Sequence, residues 1–286
     1  MKSQHSKQLF ELTLATFFIS TSGALGKFIA MPPPVTIWWR CFLAVILIYL
    51  FCKFNKISLK LNSKKDRLPF ILSSLFLGAH WITYFYALKL SNVALGMLSL
   101  FAFPVITALL EPLFGKEKFK PIHILLGVLI LVGLYILSPE FNLENSDLKG
   151  ILFGLLSAVC YSIRILILKQ QVSAYNGTML MFYQLFILAI VLLPVLYFMD
   201  TSGIQTQFPY VILLALITTA IGHTMFVKSL KHFTASTATI ISSTQPIFGI
   251  ILAYFFLSEI PTWNTFWGGL LILSTVVIES VRSKKI

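Results

Sequence analysis

The chain has 286 residues, of which 57% are hydrophobic and 11% are charged. A soluble domain needs about 25% charged residues to cover its surface, so a lipid bilayer, rather than water, is the expected surrounding and partner of this protein. The formal net charge is +12, but the basic residues fall in short segments between apolar runs. They form no continuous basic face, and nucleic acid is therefore not expected as a partner.

Ten apolar runs, each close to 20 residues long, follow one another along the chain. An α-helix of this length crosses the ~30 Å hydrocarbon core of a bilayer. The first run is too long for the core of a signal peptide, so it is interpreted as a retained span. The predicted spans cover residues 9–29, 35–52, 68–88, 92–113, 121–138, 149–169, 178–198, 208–230, 234–257 and 263–281.

Lys and Arg residues are unequally divided between the two sets of alternating loops. Seventeen fall on one side, including the cluster from Lys53 to Arg67, and three fall on the other, namely Lys27, Lys89 and Lys149. Cytoplasmic loops carry the excess of positive charge. Both termini are therefore predicted to be cytoplasmic, in a multi-pass protein of the cell membrane that we place in a bacterial inner membrane.

The two halves of the chain repeat at an offset of 142 residues, which places Lys27 opposite Lys169 and Pro104 opposite Pro246. Five spans per half is an odd number, so the second half must enter the bilayer from the opposite side. The predicted fold is an all-α integral membrane protein with ten transmembrane helices in two inverted five-helix repeats, residues 1–140 and 141–286. Inverted repeats are the plan of secondary transporters, whose site lies near the midplane between the halves.

Two prolines, Pro104 and Pro246, interrupt the fourth and ninth predicted spans at matching positions. A proline inside a helix leaves a backbone carbonyl without its normal partner, and a water-filled cavity can supply one. Symmetric interruptions point to a transport site. A kink that serves only packing is the alternative explanation.

Ionisable groups inside spans are costly and usually face a cavity. His80 lies near mid-depth in the third span, and its neighbours Trp81 and Tyr84 could stack on a planar solute or bind a cation. His223 lies in the eighth span. For a histidine in an apolar helix, a satisfied structural role is the alternative.

Arg164 lies in the sixth span and Arg40 in the second, where a two-residue slip in the repeat places Arg40 opposite Gln184. Arg164 could face a cavity, or its stem could carry the charge to the cytoplasmic interface. For Arg40, anchoring at the interface is the favoured interpretation. No acidic residue lies at mid-depth in any predicted span, so the carboxylate relay of a coupled pump is not visible.

Small polar residues precede the second proline, among them Ser242 and Gln245, while the corresponding part of the fourth span has Ser99. These residues could hold a solute or could only join helices. Gly150 and Gly154 form a pair of small residues on the sixth span that is typical of helix packing.

No catalytic, metal-binding or cofactor-binding motif is present in a usable context. Cys41, Cys52 and Cys160 lie in apolar stretches without metal-ligand spacing, and buried thiols are expected. We therefore predict no catalytic residue, no metal, no cofactor and no enzymatic activity.

The chain resembles the ten-span EamA-type permeases of the drug/metabolite transporter superfamily. The resemblance rests on the turn Tyr86-Ala-Leu-Lys-Leu-Ser-Asn-Val-Ala-Leu-Gly96, on Pro104 with Phe114-Gly-Lys-Glu117 and Leu126-Gly-Val-Leu-Ile-Leu-Val-Gly133, and on the repeat of this succession as Pro246, Phe256-Leu-Ser-Glu259 and Gly268-Gly-Leu-Leu-Ile-Leu273. The second half departs from the family pattern, with Ser in place of Gly before Glu259 and with Ser274-Thr-Val-Val277 at the end of the last span, where the later glycine of the family pattern is missing.

The resemblance implies a bundle with a central cavity that carries a small metabolite or xenobiotic by alternating access, often outward. We hypothesise that spans one, three, four, six, eight and nine line this cavity. The residues expected there are His80, Trp81, Tyr84, Arg164, Gln245, Ser99 and Ser242.

A cationic cavity favours an amino acid or another amphoteric or carboxylate solute. A sugar-phosphate or nucleotide-sugar exchanger would need several more cations. A membrane protein that does not transport, such as a lipid-modifying enzyme or a receptor, is the competing class. A homodimer is left open.

Overall fold

A computed structural model describes residues 2–115, 121–137, 142, 144–233 and 235–283, with side chains left out at 2–5, 236, 239–240 and 279–283. Glu117 and the predicted repeat boundary between residues 140 and 141 lie outside the described residues. Every regular element in the described part is helical, as the composition predicts.

Five helical spans make up the first half. The second span begins at Pro33, where a proline costs no hydrogen bond because the first turn of a helix has none to lose. The fourth span is divided in two by a turn at residues 101–102. The helices are Lys2–Phe28, Pro33–Phe54, Arg67–Leu90, Val93–Leu100 with Phe103–Phe114, and Ile122–Leu137.

Five further spans make up the second half, and here the ninth span is divided by a turn at residues 243–244. The eighth span contains a π-helix, a form with wider turns that is often found at functional sites. The helices are Ser146–Gln171, Gly177–Val191 with Val195–Phe198, Ile204–Leu213 with the π-helix Leu214–His223 and Thr224–Ser229, Ala235–Ser242 with Gln245–Leu257, and Trp263–Ser283.

The surface of the bundle is apolar. Seven helices in the described part are long and apolar enough to cross a membrane, and Ile122–Leu137, Gln245–Leu257 and Trp263–Ile278 are shorter apolar helices. Large apolar side chains point outward, and aromatic rings gather where the seventh span ends and the tenth begins. Tyr197, Phe198 and Trp263 there are each more than three-quarters exposed, which is typical of side chains at the membrane–water interface.

The helices of the two halves are interleaved. The third span packs along the sixth, the fifth along the tenth, and the first against the eighth and ninth. Close approach of the fifth and tenth spans depends on two glycines, because a Cβ atom added to Gly268 would lie 2.8 Å from the carbonyl oxygen of Gly133. Helices of both repeats therefore pack against one another throughout the bundle.

Loops that the topology assigns to the same side of the membrane meet in space. At one end, the Asn62 amide donates to Tyr175 Oη over 3.0 Å. At the other end, the Val93 amide donates to Glu259 Oε2 over 2.8 Å, which caps the fourth span with a carboxylate. Odd and even loops thus separate to opposite ends, as ten consecutive crossings require.

Candidate functional site

A small cavity lies at the centre of the bundle, where six spans meet. Its volume is about 20 Å³, which is room for about one water molecule, so the structure is closed at this level. The lining comes from spans one, three, four, six, eight and nine, the six that were hypothesised. The lining residues are Ile19, Ser22, His80, Trp81, Tyr84, Leu100, Phe103, Tyr161, His223 and Gln245.

The third span supplies His80, Trp81 and Tyr84, and each of the three is at least 96% buried. Ser157 Oγ lies 2.7 Å from His80 Nδ1 and donates its proton to the His80 carbonyl over 2.8 Å. Because a hydroxyl has only one proton, Ser157 must accept the other bond from Nδ1–H. In the neutral ring Nε2 is therefore the acceptor.

Aromatic rings surround His80 on the cavity wall. Its imidazole stacks on Tyr161 with ring centroids 4.3 Å apart, and Tyr161 meets Phe103 edge to face at 4.9 Å. On the far side, Trp81 meets His223 edge to face at 5.2 Å. The wall is therefore mostly flat and aromatic, which suits an apolar or planar part of a solute.

Arg40 is fully buried, and the expectation that it anchors the second span at the interface is wrong. Its guanidinium carbon lies 3.8 Å from the ring centroid of Trp81. Its Nε donates to Thr219 Oγ1 over 2.5 Å, and Thr219 in turn donates to the Leu214 carbonyl five residues back, within the π-helix. The π-helix thus holds the hydroxyl that orients Arg40.

Arg164 is also fully buried, so its stem does not reach the cytoplasmic interface. Its Nε and Nη2 both donate to Gln184 Oε1, over 3.2 Å and 2.9 Å. Its guanidinium carbon lies 5.5 Å from the ring centroid of Tyr161. Arg164 does not line the closed cavity but stands one side chain behind it, as Arg40 stands behind Trp81.

The two arginines keep unused donors. Arg40 Nη1, Arg40 Nη2 and Arg164 Nη1 are buried without a hydrogen-bond partner, as is His223 Nδ1. Neither arginine forms an ion pair with a carboxylate among the described residues. Buried charges are normally paired because removing them from water is costly, so these guanidinium groups have capacity for an anion.

Both divided spans break beside the cavity. Pro104 and Pro246 each occupy the first turn of the second helical segment, and Leu100 and Gln245 next to the breaks line the cavity. The carbonyl of Phe103 accepts from Ser162 Oγ over 3.0 Å. A side chain of the sixth span therefore bonds to the backbone at the start of the second segment, where Thr107 Oγ1 also donates to the same carbonyl over 2.7 Å.

Ser99 and Ser242 lie away from the cavity, contrary to the prediction. Ser99 Oγ donates to the Leu95 carbonyl over 2.7 Å and packs against Gly154, where a Cβ atom would collide with it. Ser242 Oγ donates to the Ala238 carbonyl over 2.9 Å. In both cases the hydroxyl is used within its own helix, and the side chain serves packing.

The sequence did not single out Ser22, Ser157, Phe103 or Tyr161. Tyr161 precedes Arg164 by three residues and shares its helix face, so helical spacing could have found it. Ser157 lies four residues before Tyr161 on the same face, but its bond to His80 could not be found in this way, because the partner is 77 residues away.

The described residues contain no group of three or more His, Cys, Asp or Glu side chains that could hold a metal ion. Cys41, Cys52 and Cys160 are free and buried, as expected.

The model of the EamA-like transporter family matches residues 8–138 and 148–280. A pseudopaline exporter of Pseudomonas aeruginosa is 27% identical over 283 residues, which cover 95% of each chain. An S-adenosylmethionine uptake transporter of Rickettsia prowazekii is 32% identical over 117 residues, 41% of this chain and 40% of the relative. A solved crystal structure superposes with a TM-score of 0.71 over 98% of each chain at 16% identity, a likeness of fold.

Proposed function

Since the chain belongs to the EamA-like transporter family, we propose that it exports a small solute bearing a carboxylate, such as an amino acid or another amphoteric molecule, by alternating access. The observation that carries the substrate class is the pair of fully buried guanidinium groups, Arg40 and Arg164, behind the wall of the central cavity. Neither has a carboxylate partner among the described residues.

A carboxylate fits the unused donors of these arginines. The planar guanidinium group binds a carboxylate through two parallel hydrogen bonds. Arg40 has both of its terminal nitrogens without a partner, whereas Arg164 has one. Arg40 is therefore the better candidate for a two-point contact, and Arg164 for a single one.

Access to the arginines requires the aromatic wall to move. The central cavity holds about 20 Å³, too little for any amino acid, while Trp81 covers Arg40 and Tyr161 stands next to Arg164. In this proposal the present structure is a closed intermediate. Opening toward either side displaces the two rings and uncovers a guanidinium group for the solute.

Export and orientation complete the proposal. The exporter from P. aeruginosa matches 95% of this chain and the uptake transporter 41%, which favours export. Both termini are proposed to be cytoplasmic, in a bacterial inner membrane. Lysine and arginine residues concentrated at the end that holds the 55–66 loop support this orientation, and labelling of single cysteines from outside intact cells tests it.

Counterflow into proteoliposomes tests the substrate class. Vesicles preloaded with an unlabelled amino-acid mixture are expected to accumulate labelled amino acids, while the decarboxylated amines of the same amino acids fail to compete. Arg40→Gln is expected to abolish this discrimination, and Arg40→Lys to retain part of it because the charge remains. Lys53→Gln, at an exposed position, serves as the matched control.

Two kinds of result would overturn the proposal. One is the absence of counterflow for every amino acid with protein shown to be folded by its thermal transition. The other is equal transport of amines and amino acids, or transport of sugar phosphates alone, since either excludes selection of a carboxylate by the arginines.

A further inference from the structure

A second cavity opens on the side of the bundle, between the second, seventh and eighth spans. Its volume is about 310 Å³, and it is separate from the central cavity. Phe51, Leu216 and Ile221 on its walls are between 37% and 47% exposed, so it faces the surrounding lipid. The lining residues are Leu47, Ile48, Phe51, Thr178, Leu216, Ala220, Ile221, Thr224, Met225 and Lys228, and we name this cavity the lateral groove.

The lateral groove is apolar along its length and basic at one end. Lys228 Nζ lies 5.5 Å from the ring centroid of Phe51, above the apolar part of the groove. Lys228 lies near the end of the eighth span that carries the cluster of basic loops. The groove therefore presents a cation at the membrane surface and hydrocarbon below it.

Two buried hydroxyl groups in the groove have no partner. Thr178 is 1% exposed and Thr224 is 5% exposed, and Oγ1 of each lacks a hydrogen bond. Buried hydroxyls are normally satisfied, because a hydroxyl removed from water without a bond destabilises the fold. Thr224 precedes Lys228 by one helical turn, and Thr178 lies in the first turn of the seventh span. Both threonines therefore lie close to the basic end of the groove. An acceptor in the groove would satisfy them.

The length of the groove matches one leaflet of a bilayer. Leu216 and Lys228 are twelve residues apart, which is at most about 18 Å at α-helical rise, because the π-helical part of this stretch rises less per residue. Half of the hydrocarbon core is about 15 Å. A molecule with its head at Lys228 would therefore extend its chain to about the middle of the membrane.

From these observations we infer that the lateral groove binds one anionic phospholipid of the leaflet at the Lys228 end. Lys228 binds the phosphate, Thr178 and Thr224 donate to the ester oxygens, and the groove holds one acyl chain. Basic pockets between transmembrane helices bind anionic head groups in this way.

The groove adjoins the machinery of the central cavity. Leu216, Ala220 and Ile221 belong to the π-helix Leu214–His223, whose Thr219 accepts from Arg40 and whose His223 lines the central cavity. A lipid in the groove therefore packs against the element that orients Arg40. Lipid binding is expected to stabilise the π-helix. The lipid composition of the bilayer would in this way affect the position of Arg40 beside the central cavity.

Native mass spectrometry of the full chain in detergent tests the inference. Wild-type protein is expected to retain one phosphatidylglycerol more tightly than phosphatidylcholine with the same acyl chains. Lys228→Gln should weaken the binding of phosphatidylglycerol about five-fold, the effect of one charge near a membrane surface. Lys53→Gln, which removes another exposed charge at the same side of the membrane, on the second span, should leave it unchanged.

Thr224→Val supplies a second measurement with a distinctive sign. The lipid-free variant should unfold at a higher temperature than wild type, because an unsatisfied hydroxyl is gone, yet it should bind phosphatidylglycerol more weakly. Equal affinity of wild type and Lys228→Gln would overturn the inference, and so would equal losses in Lys228→Gln and Lys53→Gln. Displacement of the lipid by inorganic phosphate at the same concentration would also overturn it, since the groove would then bind phosphate alone.

Discussion

Lys27 donates a hydrogen bond to the Ser91 carbonyl, and Lys169 donates one to the Phe233 carbonyl. The two lysines are 142 residues apart, and so are the two acceptors. Each lysine lies at the end of the first span of its half. Its bond fixes the turn between the third and fourth spans of that same half. The two contacts lie at opposite ends of the bundle. The repeat seen in the sequence is thus a repeat of bonds, inverted across the membrane.

Removal of the second of these lysines should destabilise the protein. Lys169 Nζ donates to the carbonyls of Leu230 and Phe233 over 2.8 Å and 2.7 Å, so Lys169→Met is expected to cost about 1.5 kcal/mol, the lower range for bonds to a charged group. Thermal unfolding in detergent measures the change. Lys231→Met at an exposed position of the same turn should cost less than about 0.5 kcal/mol, and equal losses would refute the role of Lys169.

Gly154 is expected to tolerate no side chain. A Cβ atom there would lie 2.8 Å from Ser99 Cβ, and such overpacking costs about 1–3 kcal/mol. Gly127→Ala is the control, because its nearest neighbour is 3.9 Å away and alanine favours the helix by up to about 1 kcal/mol. The transition temperature should fall for Gly154→Ala and hold or rise for Gly127→Ala. The opposite order would contradict the packing described.

Ser157→Ala should affect both stability and transport. The change leaves His80 Nδ1 without its partner and removes one of the bonds to the His80 carbonyl, which keeps its bond from Thr83 Oγ1. It is expected to cost about 1–3 kcal/mol and to free the imidazole to rotate. Ser74→Ala is the matched control, since its buried hydroxyl bonds only to the Phe70 carbonyl in its own helix. Counterflow should fall in Ser157→Ala and persist in Ser74→Ala. Unchanged counterflow in both variants would show that transport does not require the orientation of His80.

Tyr175 should make stability depend on alkaline pH. Desolvation, and then the hydrogen bond that Tyr175 Oη donates to Asp66 Oδ2 over 2.5 Å, raise the pKa of the phenol above its usual value. A pKa raised by folding means that the contribution is complete below the unfolded value of about 10 and is lost as the pH rises further. The difference in transition temperature between wild type and Tyr175→Phe should therefore shrink above that pH. A constant difference would exclude the linkage.

Several features of the candidate site followed from sequence, and others did not. His80, Trp81, Tyr84 and Gln245 line the central cavity. His80 was chosen by its depth in the third span, Trp81 and Tyr84 as its aromatic neighbours, and Gln245 because it lies next to the proline break. Ser99 and Ser242 have suitable depth too, but their side chains turn toward their own helices or a neighbour. Residue counting does not determine the rotation of a helix about its axis.

The arginines illustrate the same limit for charge. Arg40, five residues into a predicted span, was assigned to the interface, yet the fold buries it completely against Trp81. A long side chain can place its charge several ångströms from its Cα in either direction. Only the packed neighbours, here a hydroxyl on a π-helix that no local pattern announced, decide which direction it takes.

The all-helical membrane fold, with ten apolar spans in two repeated halves, was predicted from sequence alone, and the helices of the described part follow that order. These predictions used the length of the apolar runs, the count of basic residues in the loops and the 142-residue offset. The bilayer and the chain connectivity set these features, whatever the packing of the side chains. The tertiary structure decided which side chains face the cavity, which donors stay unused and which residues line the lateral groove. Those properties depend on rotations and contacts between helices far apart in the chain, and no spacing within one span encodes them.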